Sequence, residues 1–147
     1  MRQQESIGRW ISLIYRQEKI YISKELERYH IGFGQVPFLM VLYKKDGLNQ
    51  KEITKILYVD KATTGRAIAK LVEEGYVRRK RDSEDNRSYR IFLTAKAKKL
   101  KPTIRKVLAN WTSILSSEFS PKEKDRIIEL LKRMHNNALE SKYSNVN

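Results

Sequence analysis

Five hydroxyl-bearing and cationic residues, Lys61, Thr63, Thr64, Arg66 and Lys70, fall in one short stretch of this 147-residue chain. At this spacing they suit hydrogen bonding rather than covalent chemistry. Arg presents a planar fork of donors that matches guanine, and the Thr hydroxyl and methyl serve a phosphate or the thymine methyl. Gln50 and Lys51 stand just upstream, at a helix start whose amides and polar side chains suit phosphate oxygens. Downstream comes Arg78-Arg79-Lys80-Arg81, a run in which alternate members, Arg79 and Arg81, are read as reaching phosphate while the others are solvated. Arg87 has the reach for a minor groove, where a narrow A·T-rich tract concentrates negative potential. Asp85 cannot be a nucleic-acid ligand on charge grounds, so it is read as a brace for Arg87 through a charge-assisted hydrogen bond.

Each of these residues also has a plainer reading. Charge and Thr on a helix face are compatible with simple solvation, Asn49 is a helix cap before it is anything else, and a surface ion pair contributes only ~0–1 kcal/mol. The distribution of charge decides between the readings. The chain carries 31 basic and 17 acidic residues, a net +14. Residues 45–110 hold eighteen of the basic and eight of the acidic groups, so most of the excess lies where the candidate ligands are. That concentration calls for a polyanionic partner.

Other classes of function find little support. No cysteine is present, which excludes disulfides, thiolate metal sites and thiol redox chemistry. The two histidines, His30 and His135, are far apart in sequence, and a cysteine-free zinc site needs several His and carboxylate ligands. No spacing suggests a nucleophile, a metal centre or a phosphate-cradling loop, so neither an enzyme nor a bound cofactor is expected. The longest apolar run, Val36 to Tyr43, is far short of the ~20 residues of a membrane span, and residues 1–6 are polar. The expectation is a cytoplasmic protein without membrane contact.

The elements that must position these residues follow from periodicity. From Glu5 to His30, apolar residues recur at helical spacing, until Gly32 and Gly34 break the pattern. A helix from about Gln35 to Lys44 tolerates Pro37 in its first turn and ends at Asp46-Gly47. Asn49-Gln50-Lys51-Glu52 reads as a capping box opening a short helix that ends near Leu57. Asp60 caps the next helix, with Ala62, Ile68, Leu71 and Val72 assigned to its inner side and Thr63, Thr64, Arg66 and Lys70 to its outer side. Gly75 stops it. From Tyr76 the period becomes that of a strand, and a hairpin runs out to Arg81, turns through Asp82–Asn86, and returns over Ser88–Leu93. Thr94 caps a long helix reaching Phe119. Ser120-Pro121-Lys122-Glu123 opens the last helix, and the tail after Ser141 is read as frayed.

The fold class expected is mainly α with a small β-hairpin wing: a winged helix-turn-helix at residues 35–96. It is flanked by an N-terminal helix at 1–34 and C-terminal helices at 97–147. The flanking helices carry more apolar surface than such a unit can cover, and burying it against a second copy predicts a homodimer.

This pattern resembles the MarR family, the multiple-antibiotic-resistance type of transcriptional regulator. The resemblance rests on Gln35, Leu48-Asn49-Gln50-Lys51-Glu52-Ile53, Val59-Asp60-Lys61-Ala62-Thr63-Thr64, Arg66, Leu71, Glu74-Gly75-Tyr76-Val77 and Arg79. Most specific is Asp82-Ser83-Glu84-Asp85-Asn86-Arg87, followed after five residues by Leu93-Thr94. Two positions depart from it: Gly65 sits inside the recognition helix that Asp60 caps, and Ala97 stands where the family usually has Gly. Membership implies a homodimer joined by helices from both chain ends, with two winged units on a short palindrome of double-stranded DNA. It also implies a small phenolic or anionic effector between those helices and the winged unit, for which Tyr15, Arg16, Lys19 and Trp111 are weak candidates. The reading is a sequence-specific repressor on a pseudo-palindromic operator. The rivals are a sequence-tolerant architectural nucleic-acid-binding protein and a protein-interaction module.

Overall fold

The computed structural model describes residues 5–85 and 87–141; Asn86 in the expected turn and the tail expected to fray lie outside them. The chain forms two compact units, 1–111 and 112–147. In order the elements are α1 (Ile7–Leu26), α2 (Val36–Lys44), β1 (Leu48–Asn49), α3 (Gln50–Leu57), α4 (Lys61–Glu73), β2 (Val77–Arg81), β3 (Tyr89–Leu93), α5 (Ala95–Leu115) and α6 (Pro121–Glu140). The mainly helical class with a small sheet is the one expected from the sequence. No helix among the described residues is long and apolar enough to cross a membrane.

Local chemistry sets most of the boundaries. Ser6 caps α1 by accepting from the Arg9 amide at 3.2 Å. The helix ends earlier than expected, because its last turn tightens into a 3₁₀ turn at Glu27–Tyr29 and His30 takes up a left-handed conformation. Pro37 sits in the first turn of α2, where the amide it lacks has no intrahelical partner. Asn49 caps α3 through its Oδ1, which accepts from the Glu52 amide at 2.8 Å. The return arm differs from the expected capping box: Asn49 Nδ2 donates to the Glu52 carboxylate at 3.2 Å, side chain to side chain. Ser120 and Glu123 do form the reciprocal box at the start of α6.

The sheet has three antiparallel strands in the order β1-β3-β2. The hairpin register pairs Val77 with Leu93, Arg79 with Ile91 and Arg81 with Tyr89 on one face, and Arg78 with Phe92 and Lys80 with Arg90 on the other. The third strand, β1, is absent from the sequence reading. It spans two residues, Leu48 opposite Ile91 and Asn49 opposite Arg90, too short for a period-two pattern to register. The face carrying Val77, Ile91 and Leu93 is buried against the helices, in one core with Ile22, Leu26, Leu39, Leu42, Ile53, Ile68, Leu71 and Ile104. Ala97, which replaces the usual Gly, is fully buried in that core. Its carbonyl accepts the Tyr43 hydroxyl, tying α2 to α5. Burial pushes the Tyr43 phenol up to about 12, so it stays a donor throughout the neutral range.

The inner face of α4 requires correction at two positions. Thr64, expected outside, is fully buried, and Ala62, expected inside, is exposed. The core stripe is Thr64, Ala67, Ile68 and Leu71, whose spacing backwards from Leu71 is the i, i+3, i+4, i+7 of one helix face. The polarity of Thr64 hid its place in that stripe. Its hydroxyl pairs with that of Thr54 at 2.7 Å, and Thr54 in turn donates to the Gln50 carbonyl at 2.7 Å. A buried hydroxyl is tolerated when it is hydrogen-bonded in this way, and here it locks α3 to α4.

Replacing Thr64 by Val keeps the shape and removes that lock, and should lower stability by about 1 kcal/mol in urea unfolding. Gly47 joins α2 to β1 at φ +77, and a Cβ there would meet the Phe92 ring at 2.8 Å. Gly47→Ala should therefore lower the urea midpoint by the equivalent of about 1–3 kcal/mol with the m-value unchanged.

Candidate nucleic-acid interface

Three chain segments converge on one cleft. The first turns of α3 and α4 and the return side of the hairpin enclose about 470 Å³, lined by Gln50, Lys51, Thr54, Lys61, Arg87, Ser88 and Tyr89. Four residues singled out in the sequence, Gln50, Lys51, Lys61 and Arg87, are thus brought together from positions nearly forty apart in the chain. Two helix starts flank the space, and their free amides and positive dipole ends add to its cationic character.

Each start is held by a cap. Asp60 Oδ1 accepts from the Thr63 amide at 2.6 Å. That amide, then the Thr63 hydroxyl, and more weakly the Arg66 charge, hold the Asp60 carboxyl below its ordinary range, so it stays ionised at the head of α4. Thr63 keeps its hydroxyl near the surface, where it accepts from Arg66 Nη2 at 3.4 Å. Arg66 and Lys61 are exposed. A Cβ on Gly65 would meet nothing within 4 Å, so no packing demand explains the glycine.

Thr64 drops out of the exposed set because its side chain is buried. Lys70 is not brought to the cleft. It pairs with Glu74 at 3.4 Å and lines a separate surface pocket of about 540 Å³ with Ser23, Lys24, Glu27, His30 and Gln35. Nine residues separate it from Lys61, about 13 Å along a helix.

The hairpin turn is organised by carboxylates that accept backbone amides, the usual chemistry of Asx turns. Asp82 Oδ1 takes the Glu84 amide at 3.0 Å, and Asp85 Oδ1 takes the Arg87 amide at 3.0 Å. The brace expected of Asp85 therefore reaches Arg87 through its backbone rather than its guanidinium. Arg79 and Arg81 are exposed on the helix-side face of the hairpin. Arg81 donates to the Tyr89 hydroxyl at 3.3 Å and lies 5.7 Å from its ring centroid. This bond, reinforced by the Arg81 charge, lowers the Tyr89 phenol below its ordinary value. Tyr89 and Thr54 were missed in the sequence. Carrying the strand alternation across the Asp82–Arg87 turn would have set Tyr89 opposite Arg81. The position of Thr54 depends on how α3 packs on α4, which has no local signature.

Two of the four weak effector candidates, Tyr15 and Trp111, are engaged in ring packing. Tyr15 meets Phe33 edge-on at 5.2 Å, and Trp111 stacks on Tyr21 at 5.2 Å. Arg16 and Lys19 are exposed on α1. Among the described residues, no group of three or more His, Asp or Glu side chains is gathered as a metal site would require.

The MarR family model matches residues 34–89, which span α2 through the start of β3. The chain is similar to YybA, an uncharacterized HTH-type transcriptional regulator of Bacillus subtilis (strain 168), at 30% identity, with 89% of this chain and 87% of that protein covered. Among solved structures it is similar to a MarR transcriptional regulator from Methanosarcina mazei Go1, at 51% identity and TM-score 0.87, covering 91% of this chain and 96% of that one. A putative MarR family regulator from Listeria monocytogenes, solved in complex with a 26mer DNA, shares the fold at TM-score 0.84 and 24% identity, over 91% of this chain and 89% of that one. With the winged architecture, the cationic cleft and relatives matched over most of their length, the chain belongs to the MarR family and is a helix-turn-helix transcriptional regulator rather than an enzyme.

Proposed function

We propose that this chain acts in the cytoplasm as a homodimeric repressor that binds a pseudo-palindromic operator in double-stranded DNA. The observation that carries the proposal is the cleft that gathers Gln50, Lys51, Lys61 and Arg87 between two helix starts and the wing. Phosphates bind at the α3 start through Gln50 and Lys51, and α4 presents Lys61, Thr63 and Arg66 to base edges in the major groove. Arg87 enters the adjoining minor groove with its backbone held by Asp85, while Arg79 and Arg81 meet the phosphates on the helix side of the wing. Thr64 and Lys70 serve the structure instead, the first in the core and the second in its ion pair with Glu74. The Listeria protein, solved with DNA, supports the reading through its shared fold.

Dimerisation falls to the segments 1–34 and 97–147, outside the winged unit at 35–96. Ile7, Trp10, Ile11 and Ile14 of α1 are all exposed, and in the second unit so are Phe119, Ile127, Ile128 and Leu131. Apolar surface on this scale asks for a partner, and a second copy supplies one with matching faces. The two winged units then address half-sites with centres ~10 bp apart or a multiple of that. A small aromatic or anionic ligand releases the DNA, with the exposed cations Arg16 and Lys19 available to its charge.

Light scattering at micromolar concentration should return a dimer, and a monomer would remove the palindrome from the proposal. Duplexes selected from a random pool should share one motif. Arg66→Ala should cost ~1–3 kcal/mol on that motif and much less on unrelated duplexes. A sequence-tolerant architectural protein would lose affinity equally on all of them. Affinity should also fall steeply with salt, by a log–log slope of about 0.9 for each phosphate contact.

A further inference from the structure

The hairpin has a second face, turned away from the helices, and it too is cationic. The ladder sets Lys80 directly opposite Arg90 on that face, with Arg78 one pair nearer the base. All three are exposed. Like charges directly opposite one another in a sheet are destabilising, so the pairing is no aid to the fold. Two carboxylates that border the hairpin, Asp46 before Gly47 and Asp82 after Arg81, accept backbone amides. Asp46 Oδ1 takes the Leu93 amide at 2.9 Å and the Gly47 amide at 3.0 Å, and Asp82 Oδ1 takes the Glu84 amide at 3.0 Å. The ion pairs found among the described residues, Lys70–Glu74 and Arg126–Glu129, do not involve this face.

These cations are also positioned. Arg90 Nε donates to the Gly47 carbonyl at 2.7 Å, which anchors the guanidinium beside the strand. Arg78 lies over the Phe92 ring at 5.6 Å. A face kept only for solubility has no need to hold a guanidinium in place.

We infer that Lys80 and Arg90 bind phosphates of the DNA strand on the far wall of the minor groove that Arg87 enters, so that the wing grips the groove from both sides. The inference rests on the DNA reading above and extends it to residues that reading left in solvent. A B-form minor groove is only about 6 Å wide. A two-stranded ribbon whose tip enters it turns one face to each of the two backbones that wall it. Arg79 and Arg81 occupy the helix-side face, and Lys80 and Arg90 occupy the outer one. The charge repulsion between Lys80 and Arg90 is then relieved by the polyanion between whose strands they sit.

The test uses the full chain and a duplex that the wild-type protein selects from a random pool. The double variant Lys80→Gln/Arg90→Gln should bind this duplex on the order of tenfold more weakly, with the log–log salt slope reduced by about two and the selected sequence unchanged. Phosphate ethylation on the strand beyond the wing should interfere with wild-type binding and cease to interfere with the variant. Arg90→Lys keeps the charge without the fork that anchors it to Gly47, and should keep most of the salt slope. Among the described residues the Lys80 side chain makes no hydrogen bond, so Lys80→Gln alone should lower the slope by about one. Wild-type affinity and slope in the double variant, on a duplex the wild type does select, would overturn this inference and leave the DNA reading standing. An equal loss in Arg90→Lys and Arg90→Gln would assign the effect to the Gly47 anchor and overturn it too. Failure of the wild type to bind any duplex would remove the DNA reading and this inference together.

Discussion

The cleft depends on one short pairing, that of Leu48-Asn49 with Arg90-Ile91 in the middle of the sheet. Asn49 is at once the last residue of β1 and the cap of α3, so the register of β1 against β3 dictates where α3 begins. A slip of one residue would carry Leu48 and Ile91 out of the core and move Gln50 and Lys51 away from Arg87. The pairing is secured from several sides. The Gly47 amide donates to the Ile91 carbonyl at 3.0 Å, the Gly47 carbonyl accepts from Arg90, and Asp46 takes the Leu93 amide. Gly47 stands at the centre because the chain turns there with a positive φ against the Phe92 ring, where no side chain fits.

A second constraint acts between the two helices of the reader. Thr54 and Thr64 meet at 2.7 Å across the α3–α4 junction, and Thr54 is also bonded to the carbonyl of Gln50. The residue at the mouth of the cleft is therefore connected through two hydroxyls to the buried face of α4. A hydrogen-bonded polar pair specifies one relative placement of the helices more sharply than an apolar contact, which tolerates sliding. Geometry matters at such a site because base edges and phosphates accept hydrogen bonds over a narrow range of distance and angle.

Electrostatics then acts on a frame already set. Four of the eight acidic residues in 45–110 accept backbone amides: Asp46, Asp60, Asp82 and Asp85. Their charges brace turns and helix starts, and among the described residues none of these four carboxylates forms an ion pair with a surrounding Lys or Arg. A surface so arranged keeps a strong positive potential without forfeiting local order. The wing illustrates the outcome: its carboxylates build the turn, and its cations point outward from both faces of the ribbon.

How much of this could be read from the chain depends on the range of the forces involved. Helix caps at Asn49, Asp60 and Ser120, the stop at Gly75 and the hairpin alternation are local. They involve residues within a few positions of one another, so the sequence alone determined the elements, the winged class and the clustering of charge. The buried place of Thr64 was written in the helical period but masked by the polarity of its side chain, and the short strand β1 had no period to display. The convergence of α3, α4 and the wing on one cleft, the exclusion of Lys70 from it, and the turning of Asp85 toward an amide rather than a guanidinium were decided only by tertiary packing. Each of these depends on which distant surfaces meet, and burial and strand register settle that only once the whole core has closed.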